Sequence, residues 1–286
     1  MPIIICILSA FFWAAFDLTR KIALQKINSV SLLLIFTLAQ SLVFFIWFFF
    51  EEFSINFKSY FAPGLILILI GLFSALLFLK AIKEADLSLT IPLLSLSPMF
   101  SSLFSFFFLN EKLTNIQYFG IFSIIFGTLV LYSKKINLNE ILKSFKVLST
   151  NKSAKLMIIV AIIWSLTPVL DKICLKSSTI NIHGFIQSFG MFLFLIFLFI
   201  KNNFNQIESI KINWQIIFIA VFIGVVATIF QFYAILTNFV PIMESIKRSV
   251  GQLSSVFLGK LFFNEEITKP KIWGVIILSI GVYFIV

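Results

Sequence analysis

Ten apolar runs, each close to twenty residues long, follow one another along these 286 residues with mostly short polar joints between them. The hydrocarbon core of a bilayer is about 30 Å thick, which an α-helix crosses in roughly 20 residues at about 1.5 Å each. The runs fall at about 3–23, 29–50, 62–82, 88–109, 115–133, 155–175, 181–201, 214–236, 240–263 and 270–286. With 60% of its residues hydrophobic and 12% charged, the chain has too little polar surface to coat a water-soluble globule. The expected fold class is an all-α integral membrane protein with ten transmembrane helices.

Met1-Pro2 offers no basic n-region and residues 17–26 do not look like a cleavage site, so the first run is expected to stay in the mature protein. Cys6 and Cys174 lie inside runs without a CxxC or His neighbour and read as small core hydrophobes. The long charged interval begins KKINLNEILKSFKVLSTNK and divides the chain into 1–133, a basic connector 134–154, and 155–286.

The two parts match. FFWAAFDLTRKIAL (11–24) aligns with IIWSLTPVLDKICL (162–175), placing Trp13 on Trp164 and Lys21 on Lys172. Gln40-Ser41 falls on Gln187-Ser188, Gly71 on Gly224, FLNEKLT (108–114) on FFNEEIT (262–268), and Gly120 and Gly127 on Gly274 and Gly281. The offset drifts only between 147 and 154 residues, so one five-helix unit has been duplicated. Because five is odd, each copy starts and ends on opposite sides of the membrane, and the second copy inserts upside down. Two inverted five-helix repeats are the architecture of secondary transporters, in which exchanging the conformations of two equivalent halves reverses the opening of a central cavity.

Several of these residues also carry a resemblance. A Trp in the first helix is followed by a basic residue near its end, and an Ala-aliphatic pair closes the third (Ala81-Ile82, Ala234-Ile235). In LSLSPMFSSLFSFFFLNEKLT a Ser-Pro is followed by a Glu, and two Gly mark the fifth helix. In this order of motifs each half resembles an EamA domain of the drug/metabolite transporter superfamily. Gln40 and Gln187 stand where that family often has a basic residue, and Gln252 replaces the proline equivalent to Pro98. The resemblance implies a transporter of a small metabolite, more often an exporter, in a bacterial inner membrane with both termini in the cytoplasm. Most Lys and Arg lie on the side shared by the joints after the odd-numbered runs, which taken alone places both termini outside. Orientation therefore stays open.

Chemistry concentrates in VPIMESIKRSVGQLSS (240–255). Glu244, Lys247 and Arg248 fall near mid-membrane, where each charge costs roughly 2.5 to 3.5 kcal/mol unless it meets water or a partner. Spacings of three and four residues put Glu244 on one helix face with both cations. The trio either locks helices together or lines a substrate cavity. One acid and two bases leave a net positive site, suited to an anionic or zwitterionic solute such as an amino acid or organic acid. Glu244 is then the candidate for a coupling proton, and Lys247 and Arg248 for anion contacts.

In the fourth run Ser88, Ser95 and Ser102 recur every seven residues, and Pro98 frees a carbonyl one turn earlier, a pattern that serves either helix packing or a cavity. Gln40, Gln187, Gln252, Trp13 and Trp164 are further cavity candidates. Asp17 with Arg20 or Lys21 reads as a gate ion pair or as a solvated pair at a helix end. Glu111 and Glu265 are expected at the wet interface, ending one helix before Thr114 and Thr268 cap the next, with a gating role as the alternative. The paired glycines allow close packing between helices or between two copies in a homodimer.

One His, no clustered metal ligands, no phosphate loop and no Ser/His/Asp set leave an enzyme, a cofactor and a metal unsupported. The net charge of +10 is spread through short joints and bears on membrane orientation rather than nucleic acid. Two other classes remain open: a non-transporting membrane subunit or receptor, and a flippase for lipid head groups.

Overall fold

The computed structural model describes residues 2–51, 53–84, 91–133, 152–202, 207–264 and 266–285. Most of the connector, Ser88 and Glu265 lie outside them. The described residues form the helices α1 (Pro2–Leu24), α2 (Ser29–Trp47), α3 (Phe57–Glu84), α4 (Ser97–Leu109), α5 (Asn115–Tyr132), α6 (Lys152–Leu175), α7 (Ile180–Asn202), α8 (Trp214–Thr237), α9 (Val240–Phe263) and α10 (Lys269–Ile285). A 3₁₀ stretch, Ile91–Leu96, leads into α4, and a six-residue turn of helix precedes α8. Six helices, α1, α2, α3, α6, α7 and α8, are long and apolar enough to cross a bilayer, with shorter apolar segments at Leu93–Leu109 and Asn115–Leu131.

The helix ends lie where the sequence supplies caps. Asn28 accepts the amide of Ser31 to open α2, and Thr114 and Gln117 form a reciprocal capping box at α5. Asn110 and Asn264, the asparagines shared by the two similar heptads, take left-handed φ values of 56° and 54° and terminate α4 and α9. Asparagine tolerates that region better than most residues. The repeated heptad is thus a helix stop.

The fourth run is not one continuous α-helix among the described residues. Its first part is 3₁₀, and Pro98 sits in the first turn of α4. Proline is well accepted at the first turn of an α-helix, and here it stands where the 3₁₀ stretch passes directly into α4.

Packing follows four close pairs: α1 with α8, α3 with α6, α2 with α7, and α5 with α10. The main core gathers Phe16, Leu24, Leu32, Phe78, Ile82 and Met157. The outside carries exposed Phe61, Phe107, Phe197 and Phe218, a surface that lipid solvates and water does not. In the α5–α10 pair backbone meets backbone: a Cβ on Gly120 would stand 2.6 Å from the Gly281 carbonyl, and one on Gly127 2.9 Å from that of Gly274. The glycine pairs therefore serve contact within the chain. Gly120→Val is expected to lower stability by about 2 kcal/mol through overpacking. Gly71→Ala, whose added carbon meets only Met191 Sδ at 3.8 Å, should change it by no more than about 0.5 kcal/mol. Unfolding of the purified variants in mixed micelles measures both.

Candidate substrate cavity

A cavity of about 220 Å³ lies among α1, α2, α3, α6, α7, α8 and α9, touched by the 3₁₀ stretch through Leu94. This is below the roughly 300 Å³ at which pockets for drug-sized ligands begin, and it suits a small metabolite.

One wall is the charged face of α9. Glu244, 1% exposed, receives Arg248 Nη2 at 2.8 Å and the Ser97 hydroxyl at 3.0 Å on the same oxygen, and Arg248 Nε donates to Ser97 Oγ at 2.8 Å. Lys247 Nζ lies 3.5 Å from the other carboxylate oxygen and donates to Gln231 Oε1 at 2.5 Å. The network ties α9 to Ser97 at the start of α4, and Glu244, Lys247 and Arg248 line the cavity. Each cation also covers an indole, with Lys247 Nζ 4.6 Å from the ring centre of Trp13 and the Arg248 guanidinium 5.5 Å from that of Trp164. Trp164 Nε1 donates to Ser74 Oγ at 3.0 Å, whereas Trp13 Nε1 is buried without an acceptor in the protein.

Asp17 and Arg20 pair with each other, and Arg20 rests 4.0 Å above the ring of Phe78 and 4.7 Å above that of Phe16. Both line the cavity. Aromatic side chains of α1 and α3 cover Arg20, which is buried, while Asp17 stays partly exposed. A second polar chain runs from Gln187 Nε2 to Tyr60 Oη (3.2 Å), on to His183 Nδ1 (2.9 Å), and from His183 Nε2 to Asp171 Oδ1 (3.0 Å). Tyr60 and Phe78 are eighteen residues apart on α3, about 27 Å along its axis, so the two clusters occupy opposite ends of the cavity. Between them Gln40 Nε2 donates to Thr228 Oγ1 at 2.7 Å.

Of the residues expected from sequence, Trp13, Trp164, Gln40, Gln187, Glu244, Lys247, Arg248, Asp17 and Arg20 share this cavity. Ser95, Ser102, Pro98 and Gln252 do not line it. Thr128 Oγ1 stands 2.7 Å from Ser95 Oγ and 3.4 Å from Gln252 Oε1, which joins α5 to the 3₁₀ stretch and to α9, and Ser102 donates to the carbonyl of Met99 within α4. Lys21 is buried and also outside the lining.

Glu111 is not at the wet interface. It is 6% exposed, takes Lys172 Nζ at 2.6 Å on one oxygen, and takes the amide of Val240, the first residue of α9, at 2.8 Å on the other. A carboxylate there satisfies an orphan amide and the positive end of the helix dipole.

The net positive charge read from α9 alone also needs correction: Asp17, Asp171 and Glu244 face Arg20, Lys247 and Arg248, three acids against three bases. Asp171, His183 and Tyr60 were missed. The internal repeat held a signal for the first, since the offset of 151 that places Trp13 on Trp164 also places Arg20 on Asp171.

The described residues thus form a helical bundle around a buried cavity lined by charged side chains, the architecture of a polytopic membrane protein. The sequence profile of the EamA-like transporter family matches residues 1–133 and 151–286, and the chain belongs to that family. It is 24% identical over 231 residues, 79% of this chain and 74% of the relative, to a protein of Bacillus subtilis (strain 168) described as the uncharacterized transporter YoaV. A solved structure described only as "Crystal structure of protein" superposes with a TM-score of 0.67 at 16% identity, covering 98% of this chain and 94% of the other. At that identity the likeness shows the fold alone. Family and helices together make the chain an integral membrane protein and a membrane transporter.

Proposed function

We propose that this transporter moves a small zwitterionic metabolite, an amino acid or a molecule of like charge, by alternating access. Its frame is two inverted five-helix halves, 1–133 and 155–286, joined by the basic connector. The observation that carries the substrate class is the cavity wall: three carboxylates and three cations beside two tryptophans in about 220 Å³. A solute with both charges can meet both signs there, whereas a permanent cation or a dianion leaves one sign unanswered. The buried Nε1 of Trp13 adds a donor for a carboxylate.

Support for the inverted frame comes from the helix pairs. Exchanging helices one to five for six to ten turns the α1–α8 pair into α6–α3, and leaves the pairs α2–α7 and α5–α10 as themselves. Export across a bacterial inner membrane is the direction and place the resemblance implies.

The test is a thermal-shift screen of purified protein against amino acids, organic acids, nucleosides and cationic drugs. A ligand that binds only the folded state adds about 2.7 kcal/mol of stability at a hundred times its Kd. Amino acids are expected to raise the melting temperature of the wild type, and Lys247→Ala and Arg248→Ala to abolish the shift. Stabilisation by cationic drugs alone overturns the substrate class, and an amino-acid shift that survives in both variants returns Lys247 and Arg248 to a structural role. Counterflow of the same labelled amino acid in proteoliposomes tests alternating access.

A further inference from the structure

Glycine in a membrane helix ordinarily marks a close approach, and several here do. A Cβ on Gly190 would stand 2.5 Å from Ile68 Cδ1, and one on Gly224 would stand 2.6 Å from Phe36 Cε2 and 2.8 Å from Phe16 Cε2. Gly71, the repeat equivalent of Gly224, is different. Among the described residues the one atom within 4 Å of its added carbon is Met191 Sδ, at 3.8 Å, an ordinary contact. Both residues line the cavity. No neighbour there demands a glycine, and a glycine weakens a helix interior relative to alanine. What its missing side chain leaves is room inside the cavity.

The room has a definite shape. Leu67, Gly71, Ala75 and Leu79 follow one another at intervals of four along α3, which sets them in one ridge, and all four line the cavity. The two small residues stand between the two leucines. The ridge therefore carries an apolar notch, about 6 Å from Gly71 to Ala75 along the helix axis, with a leucine at either end and Met191 of α7 against it. A methionine is flexible and fits itself to what it meets.

The notch lies apart from the charged wall. α9, which carries Glu244, Lys247 and Arg248, packs on α1, α4 and α10, whereas α3 packs on α6 and α7; α3 and α9 are not among the close pairs. Trp164 of α6 stands between them. The Arg248 guanidinium lies 5.5 Å from the centre of its ring, and its Nε1 donates to Ser74 Oγ on α3 at 3.0 Å. Ser74 is the neighbour of Ala75 and three residues from Gly71. One indole thus spans the way from the charges to the notch. A zwitterion whose charged groups meet α9 can lay its side chain along that indole and bury the tip between Gly71 and Ala75.

We propose that the notch at Gly71 and Ala75 receives the apolar side chain of the solute, and that Gly71 sets the largest side chain the transporter accepts. The zwitterionic head group rests on the function proposed above; the limit on size is a property of the notch.

Gly71→Ala, Gly71→Val and Gly71→Leu fill the notch in steps. Their melting temperatures without solute, expected close to that of the wild type because the first added carbon enters open space, show that they fold. Glycine, alanine, norvaline, leucine and phenylalanine are then titrated against each purified full-length protein, and affinity is read from the thermal shift. The wild type is expected to hold leucine more tightly than alanine. A single methylene in an apolar pocket changes affinity by about ten-fold or more, so Gly71→Val should weaken leucine by at least that factor and leave alanine at its wild-type affinity. Ala75→Leu, which fills the notch from its other half, should give the same order of loss. A purely structural glycine would not change this ranking. The proposal is overturned if the Gly71 series weakens alanine and leucine by the same factor, or weakens neither; amino acids still bind in both cases, and the substrate class stands. If organic acids or nucleosides stabilise the wild type and no amino acid does, the substrate class falls. The same variants then decide the size limit, which is upheld if the bulkiest of those solutes are lost first and overturned if all are lost alike.

Discussion

Arg248→Ala is expected to lower the free energy of unfolding by about 3 kcal/mol, measured by denaturation in mixed micelles, because it strands a buried charge. Glu244 is 1% exposed and would keep only the Ser97 hydroxyl and a lysine at 3.5 Å. Arg248→Lys should recover part of the loss and not all of it. A lysine restores the charge, but it cannot reach Glu244 and Ser97 together as the guanidinium does through Nη2 and Nε. Arg248→Ala combined with Glu244→Gln should fall between, since the carboxylate that suffered is gone. If the single alanine variant is as stable as the wild type, the α9 network is not a structural lock.

The second large effect is expected at Glu111. Glu111→Ala removes the partner of Lys172 and the acceptor of the Val240 amide together, and should also cost about 3 kcal/mol. Adding Lys172→Met is expected to return a substantial part of that loss, because the stranded ammonium is then replaced by an apolar side chain of similar reach. The two effects should be non-additive, and a double-mutant cycle on the same unfolding assay measures the coupling. Additive losses would mean that Glu111 and Lys172 act apart.

Much of the frame was legible because it rests on local rules. The run expected at 240–263 is the helix Val240–Phe263, and the spacing of Glu244, Lys247 and Arg248 is enough to place them on one face. The heptads ending α4 and α9 could be read as helix ends from Asn, Glu and Thr in order. The serine stripe misled because a seven-residue period presumes one continuous helix. Ser95 belongs to the 3₁₀ stretch and Ser102 to α4, so the period does not cross the break.

Long-range partnership was the other failure. Nothing near Glu111 announces an amide 129 residues away, and nothing near Tyr60 announces His183 at a separation of 123. A residue judged from its neighbours in sequence looks solvated whenever its cover comes from a distant helix. The cavity's charge was misjudged for the same reason, since only one of its walls lies on α9.

The grip of Glu111 also bears on movement. One carboxylate holds the first amide of α9 and the lysine near the end of α6, and that lysine in turn holds the carbonyl of Asn238. The ends of α4, α6 and α8 and the start of α9 are thereby tied into a pivot. A helix of 24 residues is about 36 Å long, so a tilt of about 5° about that pivot sweeps its far end through about 3 Å while the near end stays put. Glu244 and Arg248 stand on the first third of this lever and travel little. Lys260, near the tip, travels most. Any opening that keeps the pivot intact would widen the cavity from the tip end, with the charged cluster as its nearly stationary floor.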